Sequence, residues 1–300
     1  MDFSFISDLP RDSMIFVCGA TATGKSSIAL EIASKLDGVI INADSMQLYK
    51  EIPILTAQPT LQHTISQQHR LYGVINCTEK SSVAIWLQLI EDEIKKCLES
   101  RKIPIIVGGT GLYIKTLLFG IAKIPNISQE AKSRVNYLVN CNTPQGLHAL
   151  LSLHDPILAG RIHSNDIQRI VRGLEVFEET GIPLSTWQCK SNKVCRIDAN
   201  LPHFMIFVNP PRDIIYKRCD ERFIQMLKNG AVAEVESVLK CYTNIRYPKA
   251  LGFEELHSYI NGSFSMAEAA EKAQRKTRNY AKRQCTWFNN QFMYDLVITS

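Results

Sequence analysis

Residues Gly19 to Ser26, GATATGKS, constrain this chain more than any other stretch. The spacing GxxxxGK[ST] makes a phosphate cradle. Glycines at both ends let the backbone of Gly19, Ala20, Thr21, Ala22, Thr23 and Gly24 wrap a polyphosphate with its N–H groups inward, and the following helix offers its positive N-terminus to the same anion. Lys25 adds a mobile point charge, and the Ser26 hydroxyl can ligate Mg²⁺. The flanks fit: Ile15, Phe16 and Val17 read as a buried strand, and Ser27 to Leu36 has helical apolar spacing at Ile28, Ile32 and Leu36. Strand, loop and helix in that order imply an α/β fold, a P-loop NTPase-like parallel sheet flanked by helices. The motif specifies phosphate, and leaves the compound and the reaction open.

Composition narrows the setting. With 300 residues, 45% hydrophobic and 21% charged, the chain reads as an ordinary globular protein, and its net charge of +5 suits a polyanionic partner without demanding one. Nine cysteines (Cys18, Cys77, Cys97, Cys141, Cys189, Cys195, Cys219, Cys241 and Cys285) are scattered without a CxxC pair, so neither a disulfide framework nor a zinc site is expected. The start, MDFSFISDLPRDS, lacks a basic segment followed by an apolar one, and no later run reaches the ~18 apolar residues of a membrane span. A cytoplasmic protein without membrane contact is expected.

Further along, Val39 to Asn42 reads as a second buried strand ending at Ala43, Asp44 and Ser45. The carboxyl ends of parallel strands surround the ligand in such folds, so Asp44 should face Lys25; alternatively it caps the next turn. Leu71 to Ile75 is a third strand candidate. Val83 to Leu98 is an amphipathic helix with Ile85, Leu89, Ile90, Ile94 and Leu98 on one face. It leads into the strand Ile103 to Val107, which ends in Gly108, Gly109, Thr110 and Gly111 rather than in the acidic residue of an NTP hydrolase. A hydroxyl stands there instead.

From residue 123 to 200 the strand–helix alternation stops. Ser128, Thr143 with Pro144, Asp155 with Pro156, and Asn165 or Asp166 each open a helical pattern, and Gly181 ends the last. The expected organisation is a P-loop core in residues 1–122 and 201–300, interrupted by an all-helical domain over 123–200. Lys132, Arg134, Arg161, His163, Arg169 and Arg172 give that domain either a basic rim or simply a solvated face. The strand Phe204 to Val208 returns the chain to the sheet, and Arg212 just beyond it is either a clamp on the phosphate site or a surface arginine at a helix start. In the last helix Ser265 and Glu268 form a capping box. Lys272, Arg275, Lys276, Arg278, Lys282 and Arg283 share one face, with Ala273, Thr277, Tyr280, Trp287 and Phe288 on the other. RNA phosphate is the natural partner of such a stripe.

A phosphate cradle, one carboxylate, a hydroxyl turn, an arginine and a basic helix suit a diphosphate leaving group better than triphosphate hydrolysis. GATATGKS, INADSMQLYKEIPILTAQPT, GGTGLY, RIHSNDIQRIVRGLEV and TRNYAKRQCTWF resemble, in order and spacing, the signature segments of the tRNA dimethylallyltransferases, also called tRNA isopentenyltransferases. The resemblance runs from about Ile15 to Phe288, and without a zinc-finger extension it is to the bacterial type. It implies transfer of a dimethylallyl group from its diphosphate to N6 of adenosine 37, beside the anticodon of tRNAs that read codons beginning with U. By that resemblance Thr21 to Ser26 hold the diphosphate and Ser26 assists Mg²⁺. Asp44 is the general base, Thr110 binds near the reacting amine, and Arg212 and Lys25 hold the departing pyrophosphate. The tRNA anticodon stem-loop would meet Asp44, Ser45, Met46, Gln47, Thr110, Lys132, Gln168, Arg169, Ile170, Val171, Arg172, Lys282 and Arg283 on a monomeric enzyme.

Four positions depart from the family pattern. Leu55 and Gln58 replace a usual glycine and lysine, Gly73 a usual acidic residue, and Ser164 a usual proline. None lies in the cradle or at Asp44, Thr110 or Arg212. Two other classes use parts of the same sequence: a P-loop nucleotide or nucleoside kinase would share the cradle and Asp44, and a non-catalytic RNA-binding module would need only the basic helix.

Overall fold

Met14–Gly19 (β1) is apolar along its length and buried at every residue, as a strand covered on both faces must be. In the computed structural model, which describes residues 6, 9–10, 12–79, 81–189, 193–194, 201–242 and 248–299, it is followed by Lys25–Leu36 (α1), Val39–Asn42 (β2), Leu61–Ser66 (α2), His69–Arg70 (β3), Val83–Glu99 (α3), Pro104–Gly108 (β4) and Gly111–Phe119 (α4). Next come Ile121–Ala122 (β5), Gln129–Cys141 (α5), Pro144–His154 (α6), Pro156–Ala159 (α7), Ile167–Thr180 (α8), Leu184–Cys189 (α9) and Lys193–Val194 (β6). His203–Val208 (β7), Arg212–Lys228 (α10), Ala231–Cys241 (α11), Phe253–Ile260 (α12), Met266–Gln291 (α13) and Leu296–Ile298 (β8) complete the order.

Among the described residues the main sheet has six parallel strands in the order β3-β2-β4-β1-β7-β8. Ile15 lies between Ile105 and Phe204 in register, so the carboxyl ends of β1, β2, β4 and β7 all open on the same edge. Alternation along β1 assigns the faces. Ile15 and Val17 join Ile105, Val107 and Ile206 against Ile28 and Ile32 of α1. Phe16 points the other way, to the side where Phe207 meets Phe288 of α13 at 5.9 Å and Tyr294 at 4.6 Å between ring centroids.

Two sequence expectations differ from the structure. The strand expected over Leu71 to Ile75 is not formed: β3 ends at Arg70, and Leu71 (φ 62°) and Gly73 (φ 57°) turn through the left-handed region, which breaks the ladder. Ile75 keeps only an isolated bridge to Tyr49. Helix α3 is present, but its buried face is Trp86, Leu87, Ile90, Ile94 and Cys97, and Ile85 is exposed. Trp86 sets that phase, because its ring stacks on Tyr113 at 4.3 Å and its Nε1–H donates to the Asn42 carbonyl at 2.9 Å.

The chain divides into two compact units, Met1–Leu117 with Ile197–Ser300, and Leu118–Arg196. The second has its own core of Val135, Leu147, Leu151, Ile170 and Leu174. Its helices start at Ser128, Thr143, Asp155 and Asp166, each accepting from an N–H three residues on, and Gly181 (φ 66°) ends α8. Asp155 is fully buried and satisfied, its two oxygens taking Leu158 N at 3.0 Å and Ser185 N at 2.8 Å. The unit is not purely helical: β5 and β6 pair antiparallel, so the chain's way in and way out run side by side as a short ribbon.

Candidate active site

The phosphate loop follows β1. Gly24 has φ 94° and caps α1 without a side-chain hydrogen bond, so the helix N-terminus keeps backbone donors for an anion. Gly19 is required for closeness: a Cβ there would lie 2.6 Å from the Val208 carbonyl oxygen of β7. Within the loop the Thr23 hydroxyl and Lys25 Nζ both donate to Ala20 O, at 2.9 and 3.1 Å. Burial depresses the Lys25 amine to about 8; Asp44 pulls it up and Arg222 pushes it further down. Ser26 is exposed at the start of α1.

At the end of β2, Asp44 is half-buried. Its Oδ1 accepts from Met46 N at 3.0 Å, so it caps the turn, while Oδ2 accepts no hydrogen bond among the described residues. Asn42 fixes the segment by accepting from Asp44 N at 2.8 Å and donating to Asp44 O at 3.0 Å and Leu71 O at 2.9 Å. At the end of β4, Thr110 Oγ1 accepts from Ser45 N at 2.9 Å, tying the two strand ends together. The glycines on either side of it are there for proximity. A Cβ on Gly108 would strike the Ala43 carbonyl, and one on Gly111 would strike the Trp287 ring.

Gln284 of α13 was not singled out by sequence reasoning, and it joins the loop to the β4 turn. Its Oε1 accepts from Thr21 N at 2.8 Å and its Nε2 donates to Gly109 O at 2.7 Å, and the residue is 6% exposed. The arginines around the loop differ in what they touch. Arg212 is the first residue of α10 and is exposed, and no hydrogen bond joins it to the loop among the described residues. Arg222, nearly three turns further along, donates from Nη2 to Thr21 Oγ1 at 2.5 Å, and Arg218 Nη1 reaches Thr23 O at 3.3 Å.

Beside the loop lies a cavity whose lining joins the polar Thr21, Asp44 and Arg222 to the apolar Met46, Leu55, Phe223, Met226 and Leu251, with Cys219, Thr56, Thr277 and Tyr280 completing the wall. Burial raises the Tyr280 hydroxyl pKa and keeps the phenol neutral. Gln47 is used structurally: its Nε2 donates to Thr56 O and Ala57 O, at 3.0 and 2.8 Å. Gln58 likewise donates to Tyr49 O at 2.7 Å, and Leu55 is buried at the cavity wall.

Several expected RNA contacts sort by exposure. Lys282 and Arg283 are exposed and line a shallow groove with Asn279, Thr286 and the half-buried Trp287. The basic stripe is interrupted. Lys276 pairs with Glu254 and Glu255, the first at 2.8 Å and the second at 2.5 Å, and Arg278 with Asp220 at 2.5 Å. In the helical unit Lys132 is half-exposed, while Gln168 and Arg169 are exposed. Arg134, Arg169 and Arg172 pair with Glu178, Asp166 and Glu175. Ile170 is wholly buried, and Val171 is half-buried against the same core.

Among the described residues no three His, Cys, Asp or Glu side chains converge on a metal site, and no helix is long and apolar enough to cross a membrane. The described cysteines are free thiols; Cys195 lies outside the described residues. A Mg²⁺ bound by one hydroxyl, phosphate oxygens and water fits what the loop offers at Ser26.

A phosphate loop at the carboxyl edge of a parallel sheet, with an apolar cavity and a carboxylate beside it, defines a P-loop α/β protein. Residues 47–291 match the IPP transferase family. The chain is 42% identical to the tRNA dimethylallyltransferase of Rickettsia conorii, over 96% of this chain and 79% of that protein, and 38% identical to that of Ehrlichia chaffeensis, over 96% and 94%. Among solved structures, a eukaryotic dimethylallyltransferase acting on tRNA is similar with a TM-score of 0.76 and 26% identity, over 92% of this chain and 69% of that one. The tRNA isopentenylpyrophosphate transferase of Bacillus halodurans is similar with a TM-score of 0.66 and 30% identity, over 96% and 90%. The chain belongs to the tRNA dimethylallyltransferase family and is a transferase. The kinase and binding-module readings find no support in these relatives.

Proposed function

We propose that this protein transfers a dimethylallyl group from dimethylallyl diphosphate to N6 of adenosine 37 in tRNAs that read codons beginning with U. The products are N6-isopentenyladenosine and diphosphate. The observation that carries this reading is the cavity beside the phosphate loop, whose lining combines Thr21, Arg222 and Asp44 with the apolar Leu55, Phe223 and Met226. A diphosphate with a short apolar tail has that combination.

Thr21 to Ser26, Lys25 and Arg222 hold the diphosphate, and Arg212 at the head of α10 adds a more distant positive charge. Lys25 and Arg222 are both half-buried, and Arg222 pushes the Lys25 amine down, so an anion bound beside both is favoured. Ser26 would hold a Mg²⁺ ion, which would supply further positive charge to the phosphate oxygens. The N6 lone pair is delocalised into the purine, which makes the amine a weak nucleophile. Asp44 takes the N6 proton as the N6–C1 bond forms and the C1–O bond breaks, with the electron pair leaving on diphosphate. General-base assistance of this kind contributes about 10²–10⁴ in rate. Donors on the loop stabilise the charge that grows on the leaving group, and Thr110 fixes the amine near Asp44. The base must leave its stack to reach these groups.

The anticodon stem-loop is met by Ser45, Met46, Gln47, Lys132, Gln168, Arg169, Arg172, Lys282 and Arg283, on a monomer working in the cytoplasm. The test is to incubate the protein with an anticodon stem-loop and labelled dimethylallyl diphosphate, with a parallel arm containing ATP. Label recovered as N6-isopentenyladenosine is the expected result. A phosphorylated product in the ATP arm without alkylated adenosine overturns the reading.

A further inference from the structure

We propose that Glu234 is a positioning residue for the transfer: from the first turn of α11 it holds the turn at 54–57 and, through Gln47, fixes where Asp44 stands. This rests on the reading of Asp44 as the base that takes the N6 proton.

Between β2 and α2 the chain from 45 to 57 forms turns, with a single bridge at Tyr49, so no helix or strand of its own holds it. Both limbs of the segment reach the cavity, Asp44 and Met46 from one and Leu55 and Thr56 from the other. Gln47 ties the limbs together. Its Nε2 donates to the Thr56 and Ala57 carbonyls at 3.0 and 2.8 Å, and its backbone N–H donates to the Asp44 carbonyl at 3.2 Å. A shift of the 54–57 limb is therefore passed to Asp44.

That limb is tied to a regular element by one carboxylate. The Ile54 N–H donates to Glu234 Oε1 at 2.7 Å and the Leu55 N–H to Oε2 at 2.8 Å, so successive backbone donors take both oxygens of one side chain. Hydrogen bonds to a charged acceptor are roughly twice as strong as neutral ones, and a parallel pair fixes direction as well as distance. Helix α11 is itself anchored by Ala231, Val235 and Val238, in the core that also holds Ile52 and Leu55. An acid in the first turn suits the positive N-terminus of α11, but that role asks nothing of Ile54 or Leu55. Burial pushes the Glu234 carboxyl above its ordinary range, and the two N–H groups pull part of that rise back.

The experiment is a double-mutant cycle on the single-turnover rate constant, with saturating anticodon stem-loop and dimethylallyl diphosphate. Glu234→Gln and Glu234→Ala are each measured alone and combined with Asp44→Ala. Folded enzyme alone sets this rate constant, so lost protein lowers the amplitude and leaves the rate unchanged. Glu234→Gln keeps an oxygen for one of the two N–H groups and should slow transfer about tenfold, within the roughly 10²-fold that a misplacement of about 1 Å can produce. Glu234→Ala should slow it further. In the Asp44→Ala background both should change the rate by less than about twofold, because the group they place is gone. An equal fall in the two backgrounds, or a Glu234→Ala rate within about twofold of wild type, overturns the proposal. Wild type that transfers nothing, or Asp44→Ala at the wild-type rate, refutes instead the reading on which it rests.

Discussion

Replacing Gln284 by alanine tests whether α13 organises the phosphate loop. The side chain is buried and makes two hydrogen bonds, one accepted from Thr21 N and one donated to Gly109 O. Removing it leaves a buried N–H and a buried C=O unpaired, each costing about 1–3 kcal/mol, so the loss is about 2–6 kcal/mol if no water enters. At roughly 2–4 °C per kcal/mol, the melting temperature should fall visibly. Gln284→Glu separates the two bonds. Its carboxylate still accepts from Thr21 N but cannot donate to Gly109 O, so the β4 turn should loosen while the loop keeps its partner. Urea unfolding gives the stability, and the KM for dimethylallyl diphosphate reports the loop. An alanine variant within about 0.5 kcal/mol of wild type, with the same KM, would refute the bridging role.

Four further outcomes are expected. Asp44→Ala should slow single turnover by about two to four orders of magnitude with tRNA affinity changed only a few fold. Arg222→Ala should raise the KM for dimethylallyl diphosphate more than Arg212→Ala does, since of these two, among the described residues, Arg222 is the one hydrogen-bonded to the loop; equal effects would restore Arg212 as the main clamp. Lys25 is held at about 8, below its ordinary value of 10.5, so it is charged below that pH, and diphosphate binding should weaken as pH rises through 8. The unfolded chain binds more protons between 8 and 10.5, so this lysine's contribution to stability rises with pH across the same window, and Lys25→Met should remove both trends in KM and urea profiles against pH. Lys282→Ala with Arg283→Ala should weaken stem-loop binding and flatten its salt dependence, by up to about one in slope for each RNA phosphate no longer neutralised, while sparing the diphosphate; an unchanged slope in a folded variant would place the RNA elsewhere.

The parts legible in the sequence were those encoded locally. The cradle, β2, β4 and the four caps of the helical unit each need only a few neighbouring residues. Leu71 to Ile75 misled because apolar content suggests a strand, whereas left-handed backbone at Leu71 and Gly73 decides otherwise. Phase was harder still: Trp86 rotates α3 because its indole finds the Asn42 carbonyl, a partner 44 residues away. Gln284 meets Thr21 across 263 residues of chain, so nothing near either residue announces the bond. Arg222 finds Thr21 across 201 residues of chain, so its place at the loop is equally silent in the local sequence.

The sheet order also has a consequence for synthesis. β1 pairs with β4 on one side, but its other neighbour is β7, which leaves the ribosome only after the whole of Leu118–Arg196. At ~5–20 residues per second the roughly 95 intervening residues take about 5–20 s to appear. For that interval a wholly apolar strand presents an unpaired edge, the kind of edge that recruits strands from other chains. Mutations that slow translation or loosen the second unit should therefore cost soluble yield before they cost activity, and the strand left waiting is the one that carries the phosphate loop.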